Sequence, residues 1–197
     1  MGGGTGREGL SRELLRTDRL LLRPLVEADR EPFFALNTHP LVVESLGSSP
    51  TRAESDDMVT RFAAELERES WGLWAIGVLG GPPFIGLCGL HRVNAALPCA
   101  PAVEAGWRFV PAQWGHGYAS EAAAAALRHG FEVGRLDEIV AFTTTLNRRS
   151  QSVMERIGMT RDPDGDFDHP SVPAGSPLRR HVLYRARPQD PGPAGRP

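Results

Sequence analysis

The spacing of apolar and polar positions changes period along this chain, and the changes mark its elements. In "TRAESDDMVTRFAAELERES" (51–70), Met58, Phe62 and Leu66 recur at four-residue steps behind an acid-rich start, which predicts an amphipathic helix. Before it, the short apolar run "RLLLRPL" (19–25), closed by proline, predicts a strand. "EADREPFFALN" (27–37) predicts a short helix made irregular by Pro32. After residue 70 the period shortens. "WGLWAIGVL" (71–79) and "FIGLCGLHRV" (84–93) predict two strands joined by the turn signal "GGPP", and "AVEAGWRFV" (102–110) a third. "EAAAAALRHGFEVG" (121–134) is a helix by its alanines, with Gly134 suited to its end. "EIVAFTTTL" (138–146) is β-branched and predicts a strand, "NRRSQSVMERIGM" (147–159) a short helix stopped by Gly158, and "HVLYRAR" (181–187) a last strand. The segment "TRDPDGDFDHPSVPAGSPLR" (160–179) holds four prolines and predicts mostly loop.

Strand, two helices, three meander strands, helix, strand, helix, strand is the order of a mixed α/β domain. Its later strand–helix–strand unit favours local parallel pairing. No linker or internal repeat divides the chain, so residues 13–187 read as one domain. The glycine-rich residues 1–12 and the Pro/Gly-rich residues 188–197 read as unstructured ends.

Composition narrows the function classes. A net charge of −2 gives no global basic field for nucleic acid or an anionic membrane. All 22 basic residues are arginine, so every fixed cation is a guanidinium. The two cysteines, Cys88 and Cys99, form no CxxC pattern and point to a reducing compartment. No run of 18 apolar residues exists, and "MGGGTGREG" lacks the apolar stretch of a signal peptide, so a cytoplasmic protein is expected. The six histidines show no metal-ligand spacing, and no metal is expected.

The stretch "VPAQWGHGYASE" (110–121) carries the most chemistry. A strand ends near Val110, Pro111 stops its ladder, and a loop leads into a helix starting near Gly117. The first amides of that helix lack intrahelical partners, and the helix dipole adds partial positive charge there. Glycines let the backbone turn sharply and approach a ligand closely, so the loop is either a phosphate cradle or a simple helix entry. Other phosphate and nucleophile motifs fail. Residue 120 is serine where a dinucleotide loop needs glycine, a Walker loop needs lysine, and no G-x-S-x-G elbow is present.

"WGHGYASEA" resembles the acyl-CoA loop of the GNAT N-acetyltransferase superfamily, whose usual pattern is Q/R-x-x-G-x-G/A. The aligned positions here are Trp114, Gly117 and Ala119. Tryptophan in the first slot departs from that pattern and is typical of the RimJ/RimL-like branch, which acetylates N-terminal residues of ribosomal proteins among other targets. "LRTDRLLLRPLVEAD", "FIGLCGLHRV", "VEAGWRFVPAQWGHGYASEA" and "NRRSQSVMERIGM" follow in the family's order over roughly residues 14 to 160. The resemblance implies the GNAT fold, an α/β (α+β) mixed sheet: central, mostly antiparallel, with a splayed parallel strand pair and flanking helices. It implies transfer of an acetyl group from acetyl-CoA to a primary amine, by direct attack in a ternary complex. A CoA-binding sensor that has lost catalysis is the alternative. The acceptor would be a protein N-terminus or a small molecule, with no nucleic acid or membrane partner, and the chain a monomer or homodimer.

Carried over residue by residue, the resemblance puts the CoA pyrophosphate on Gly115, His116, Gly117, Tyr118, Ala119 and Ser120. His116 stands where the branch often has lysine or arginine. Pantetheine would pair with the strand edge at Phe109 and Val110. Glu104 falls at the strand carboxylate that often acts as base through water; the other reading is a structural carboxylate. The family's tyrosine acid falls on Met154, which cannot donate a proton. Ser150 is the substitute, as acid or as helix cap, and Asn147 would bind CoA or an ordered water. His91 reads as a second base or a hydrogen-bonded core histidine. Asp166, Asp168, His169 and Tyr184 would grip or face the acceptor, unless the proline-rich segment is a lid with surface charges. Trp71 and Trp74 read as core or cleft wall.

Overall fold

The computed structural model describes residues 14–188. The proposed unstructured ends, 1–12 and 188–197, therefore lie outside the described residues, save Pro188. Chain order is β1 (Leu15–Arg16), β2 (Leu20–Arg23), a 3-10 turn (Glu27–Asp29), α1 (Arg30–Thr38), α2 (Pro40–Leu46), α3 (Arg52–Glu69), β3 (Leu73–Val78), β4 (Gly86–Arg92) and β5 (Val103–Phe109). Then follow a 3-10 turn (Pro111–Gln113), α4 (Tyr118–Glu132), β6 (Ile139–Thr144), α5 (Arg148–Arg156), β7 (Thr160–Asp168) and β8 (Arg180–Ala186). No described helix is long and apolar enough to cross a membrane.

The strands form one sheet in the order β1-β2-β3-β4-β5-β6-β8-β7. Every neighbouring pair is antiparallel except β5 and β6. β4 and β5 stay in register from Gly86↔Phe109 to Arg92↔Val103, whereas β5 meets β6 at Glu104↔Val140 alone. Beyond that point the two parallel strands part, and the backbone edge of β5 faces a gap.

Each face of the sheet has its own core. Ala122, Ala123 and Ala126 of α4 are fully buried against Trp74, Ile76 and Leu90. These small side chains let α4 lie close to the strands, and Trp74 belongs to this core. On the other face Phe33, Val59 and Phe62 pack on Leu73, Ala75 and Leu87, with Phe33 and Phe62 edge to face at 6.3 Å. The predicted amphipathic α3 is capped by Thr51, whose side chain accepts from Glu54 N–H while the Glu54 carboxylate takes Thr51 N–H.

Three local expectations are corrected. The stretch 27–37 divides into a 3-10 turn and α1, and Pro32 falls in the first turn of α1, where a missing N–H costs no hydrogen bond. α2 was not expected; Pro40 opens it and Gly47, at φ 76°, closes it. The segment read as loop from 160 begins with the nine-residue strand β7. β7 is an edge strand, and its register slips between Asp162 and Phe167, which accommodates Pro163 and Gly165. Its acids lie among arginines: Asp162 binds Arg185 at 2.6 Å, and Asp166 accepts from Arg161. A period-two pattern of apolar residues is missing because ion pairs take the place of apolar cross-strand contacts.

Candidate active site

The open end of the gap between β5 and β6 is closed by the loop before α4. Trp114 Nε1 donates to Phe109 O at 2.8 Å, tying the loop to the end of β5. Gly115 and Gly117 have φ of 82° and 78°, a conformation that side chains with a Cβ adopt only under strain. A Cβ at Gly115 would meet nothing within 4 Å, and one at Gly117 only Arg19 Nη2 at 3.5 Å, so the concave side is open. Gly117 is the N-cap of α4 and provides no side-chain cap, leaving the N–H groups of Tyr118, Ala119 and Ser120 without intrahelical acceptors. Left-handed glycines followed by a helix start make a nest of amides suited to an anion.

Side chains from three elements hold and charge this loop. Glu121 accepts from Thr17 Oγ1 at 2.6 Å, from Arg19 N at 3.0 Å and from Arg19 Nε at 2.7 Å. Burial pushes its carboxyl up, but these hydrogen bonds together hold it below the usual range. Arg19 Nη1 also donates to His116 O at 3.0 Å. The His116 ring is exposed and stacks on Tyr118 at 5.5 Å. From α5, Arg156 donates to Ser120 Oγ at 2.9 Å, and the Arg149 guanidinium lies 4.6 Å from the Trp114 ring centroid. Arg149 and Arg156 are exposed and in no ion pair among the described residues. Sequence reasoning missed these three arginines. They are scattered along the chain and become neighbours only when β2 and α5 flank α4.

The edge of β5 corrects one expected contact. Val110 N–H donates to Ile85 O at 2.9 Å, and its carbonyl accepts from Gln113 N at 2.8 Å, so neither group faces the gap. By the two-residue alternation of a strand, Trp107 and Phe109 turn their backbone groups there instead. The Phe109 carbonyl on this edge already accepts from Trp114 Nε1.

Where β5 and β6 part, Glu104 stands opposite His91 of β4, with His91 Nε2 3.3 Å from Glu104 Oε2. The Glu104 side chain is 13% exposed, and burial pushes its carboxyl up to about 8. Burial also lowers His91, so both partners are driven toward their neutral forms. The pair opens into a cavity of about 520 Å³ shared with Glu65, Glu69, Trp71 and His169. A smaller cavity of about 260 Å³, sharing Arg61, Phe62 and His91 with the first, continues along β5 to Arg108.

The structure brings Glu104, His91 and His169 to one cavity and keeps other expected site residues apart from it. Asp168 is divided between Arg179 and Arg180, each at 3.5 Å, so it has no free charge for a cationic amine. Asp166 is spent on Arg161 and the Leu183 amide. Tyr184 is 3% exposed and donates to Glu155 at 3.0 Å; it packs in the core on the α4 side, away from Glu104. Asn147, not Ser150, caps α5: its side chain accepts from Ser150 N at 3.1 Å. The Ser150 hydroxyl is half-buried with no hydrogen-bond partner among the described residues. Met154 is 2% exposed in the core. Among the described residues no group of three His, Cys, Asp or Glu side chains could hold a metal.

Comparison with known proteins agrees with this architecture. Residues 19–160 match the family model described as "Acetyltransferase (GNAT) domain". The Bacillus subtilis protein called Uncharacterized N-acetyltransferase YoaA is 26% identical over 179 residues, covering 90% of this chain and 98% of its own. The crystal structure of an acetyltransferase from Agrobacterium tumefaciens is 29% identical with a TM-score of 0.71, covering 88% of this chain and 94% of its own. In fold alone, the chain is similar to RimL, the ribosomal L7/L12 alpha-N-protein acetyltransferase, in complex with coenzyme A. That likeness has a TM-score of 0.71 at 19% identity, over 89% of this chain and 98% of the other. A splayed parallel pair, an amide nest at its open end and a match over most of the length place this chain in the GNAT acetyltransferase family.

Proposed function

We propose that this acetyltransferase moves the acetyl group of acetyl-CoA onto a primary amine, a protein N-terminus or a small molecule, by direct attack with both bound. The observation that carries this reading is the parting of β5 and β6 beyond Glu104. One strand thereby turns a bare backbone edge to the gap and a titratable pair to the cavity.

The nest fits a pyrophosphate. Gly115, Gly117 and the amides of Tyr118, Ala119 and Ser120 would receive it, with Arg149 and Arg156 adding the charge that lysine supplies elsewhere. His116 would contribute its amide more than its ring, and Asn147 remains occupied as a cap. The gap then holds the pantetheine arm along Trp107 and Phe109, over about 16 Å from Phe109 back to Glu104. Acetyl-CoA supplies the acyl group as a thioester at the end of that arm.

Glu104 is the proposed base. A carboxyl near 8 takes a proton from an ammonium, directly or through water, more readily than one at its ordinary value. His91 at 3.3 Å steadies the carboxyl in either state. The freed amine attacks the thioester carbon, a C–N bond forms, the C–S bond breaks, and the departing sulfur takes a proton. An N–H on the β5 edge would polarise the carbonyl, and the unpartnered Ser150 hydroxyl is the side chain available to return the proton. Acetyl-CoA consumption against a panel of amines, wild type beside Glu104→Gln, tests the proposal. Turnover lost in the variant with CoA affinity kept supports it. Tight CoA binding with no turnover on any amine overturns it in favour of a sensor, a reading that the buried methionine at the tyrosine position favours.

A further inference from the structure

Arg108 is not used by the chemistry above, and its surroundings are unusual for this chain. The arginines in this fold are either paired with a carboxylate or exposed; among the described residues Arg108 is the one that is neither. Among the described residues its one side-chain partner is Asn37 Oδ1, itself fully buried, which accepts from Nη1. A guanidinium carries five N–H donors in a rigid fork, so most of its donors go unmatched by protein. Burial without a counter-charge pulls its pKa down to about 10.

The cavity around Arg108 has a definite polarity. The 260 Å³ chamber is lined by Arg61, His91 and Arg108 among apolar side chains, and by no carboxylate. In the adjoining 520 Å³ chamber, reached past His91, Glu65 lies 3.9 Å from Arg61 and Glu69 pairs with Arg68 and Arg92, which leaves Glu104 as the lining carboxyl with no arginine partner among the described residues. Glu104, Gly106 and Arg108 alternate onto one face of β5, with about 13 Å between the Cα atoms of the first and last. Gly106 makes room between them for the His91 ring: a Cβ there would stand 3.4 Å from His91 Nε2. The proposed base thus stands at one end of the joined chambers, an arginine without a carboxylate at the other, and the His91 ring between them.

We propose that the acceptor is a small amine that also carries an anionic group, a carboxylate or a phosphate, and that the Arg108 fork binds that group while the amine lies at Glu104. The inference rests on the acetyl-transfer reading of the same site. A bidentate fork on a carboxylate or phosphate is a strong, geometrically selective contact in a desolvated pocket. Bound this way, the anion neutralises Arg108 and fixes the amine toward the gap. Asn37, held by its own bond to Phe33 O at 2.7 Å, sets the direction of the guanidinium.

The test compares kcat/KM for matched acceptors of three to five carbons: ω-amino carboxylates, aminoalkyl phosphonates and the amino alcohols of the same length. The wild type should favour one anionic series over the alcohols by about 10- to 100-fold, and Arg108→Gln should erase that ratio through KM. The carboxylate and phosphonate arms tell the two anions apart. Arg108→Lys, which keeps charge but loses the fork, should retain part of the preference and controls for folding. An equal rate on charged and neutral amines, or a preference untouched in Arg108→Gln, overturns the proposal. Calorimetric binding of the same compounds separates this failure from failure of acetyl transfer. Binding of an amino acid that is lost in Arg108→Gln upholds the anion site even without turnover. Equal binding by both proteins overturns it.

Discussion

Replacing Glu104 by glutamine should remove the activity and stabilise the fold, and both effects should follow pH. Burial raises the Glu104 carboxyl from 4.5 to about 8, so the unfolded chain releases this proton some 3.5 units earlier than the native one. The sign follows from linkage. A carboxyl raised in the folded state contributes nothing unfavourable below its unfolded value and destabilises increasingly as pH rises through the interval up to the folded value. At about 1.4 kcal/mol per unit, the full interval corresponds to about 5 kcal/mol. Glutamine carries no such proton, so the expected gain for the variant at pH 8 is that full amount, on the order of 5 kcal/mol. Thermal unfolding of both proteins from pH 4.5 to 9 should show the gap in melting temperature opening up to about pH 8 and level beyond. With an acceptor amine of pKa above about 10, which stays an ammonium over this range, wild-type log kcat/KM should rise with unit slope and bend near the same pH. Glu104→Gln should lack that bend and be about 10²- to 10⁴-fold slower at pH 8. A stability gap independent of pH, or one that closes as pH rises, would refute the reasoning. So would a variant that keeps its rate.

Three further outcomes test the loop. Gly117→Glu puts a Cβ at φ 78° and a negative charge into the nest; acetyl-CoA affinity should fall by about 100-fold or more in calorimetry while circular dichroism stays native. Arg156→Ala should raise KM for acetyl-CoA about 5- to 10-fold, with little change in kcat, and should flatten its dependence on salt. Glu121→Gln breaks the lock to Thr17 and Arg19 and should lower stability by about 2 kcal/mol near neutral pH. Because the Glu121 carboxyl is held below its ordinary value, the wild type should lose that contribution as pH falls through the folded pKa, so the two melting curves converge in acid.

The fold was legible in sequence where one period ruled a whole segment. The four-residue steps of α3 and the alanines of α4 each named an element, and β5 followed by α4 and β6 named the parallel crossover. β7 escaped because its cross-strand partners are ion pairs and its prolines and glycine sit in a register slip, so the strand lacks both alternation and apolar residues. In the site, "WGHGYASE" was legible because left-handed turns and free amides are properties of the local chain. The charges that serve the loop were not, since Arg19 and Arg156 reach it across 97 and 36 residues of sequence. Asp168 failed as an acceptor ligand for the same reason: nothing local says that Arg179 and Arg180 of its own hairpin neutralise it.

β5 shows how seven residues hold several tasks at once. In "VEAGWRF" the odd positions, Val103, Ala105, Trp107 and Phe109, pack in the α4-side core and fix the strand. The even positions, Glu104, Gly106 and Arg108, face the other side, where the proposed base, a glycine under the His91 ring and a guanidinium without a carboxylate partner line up along the two cavities. The backbone itself is divided: bonds to β4 hold one edge, and the parting from β6 frees the other for the pantetheine arm that the family assignment implies. A one-residue slip against β4 would send Glu104 and Arg108 into the core and Trp107 into the cavity. The long, unbroken register with β4 is therefore what makes the site possible. The proposed anion site then lies on the same strand as the proposed base, four residues further along.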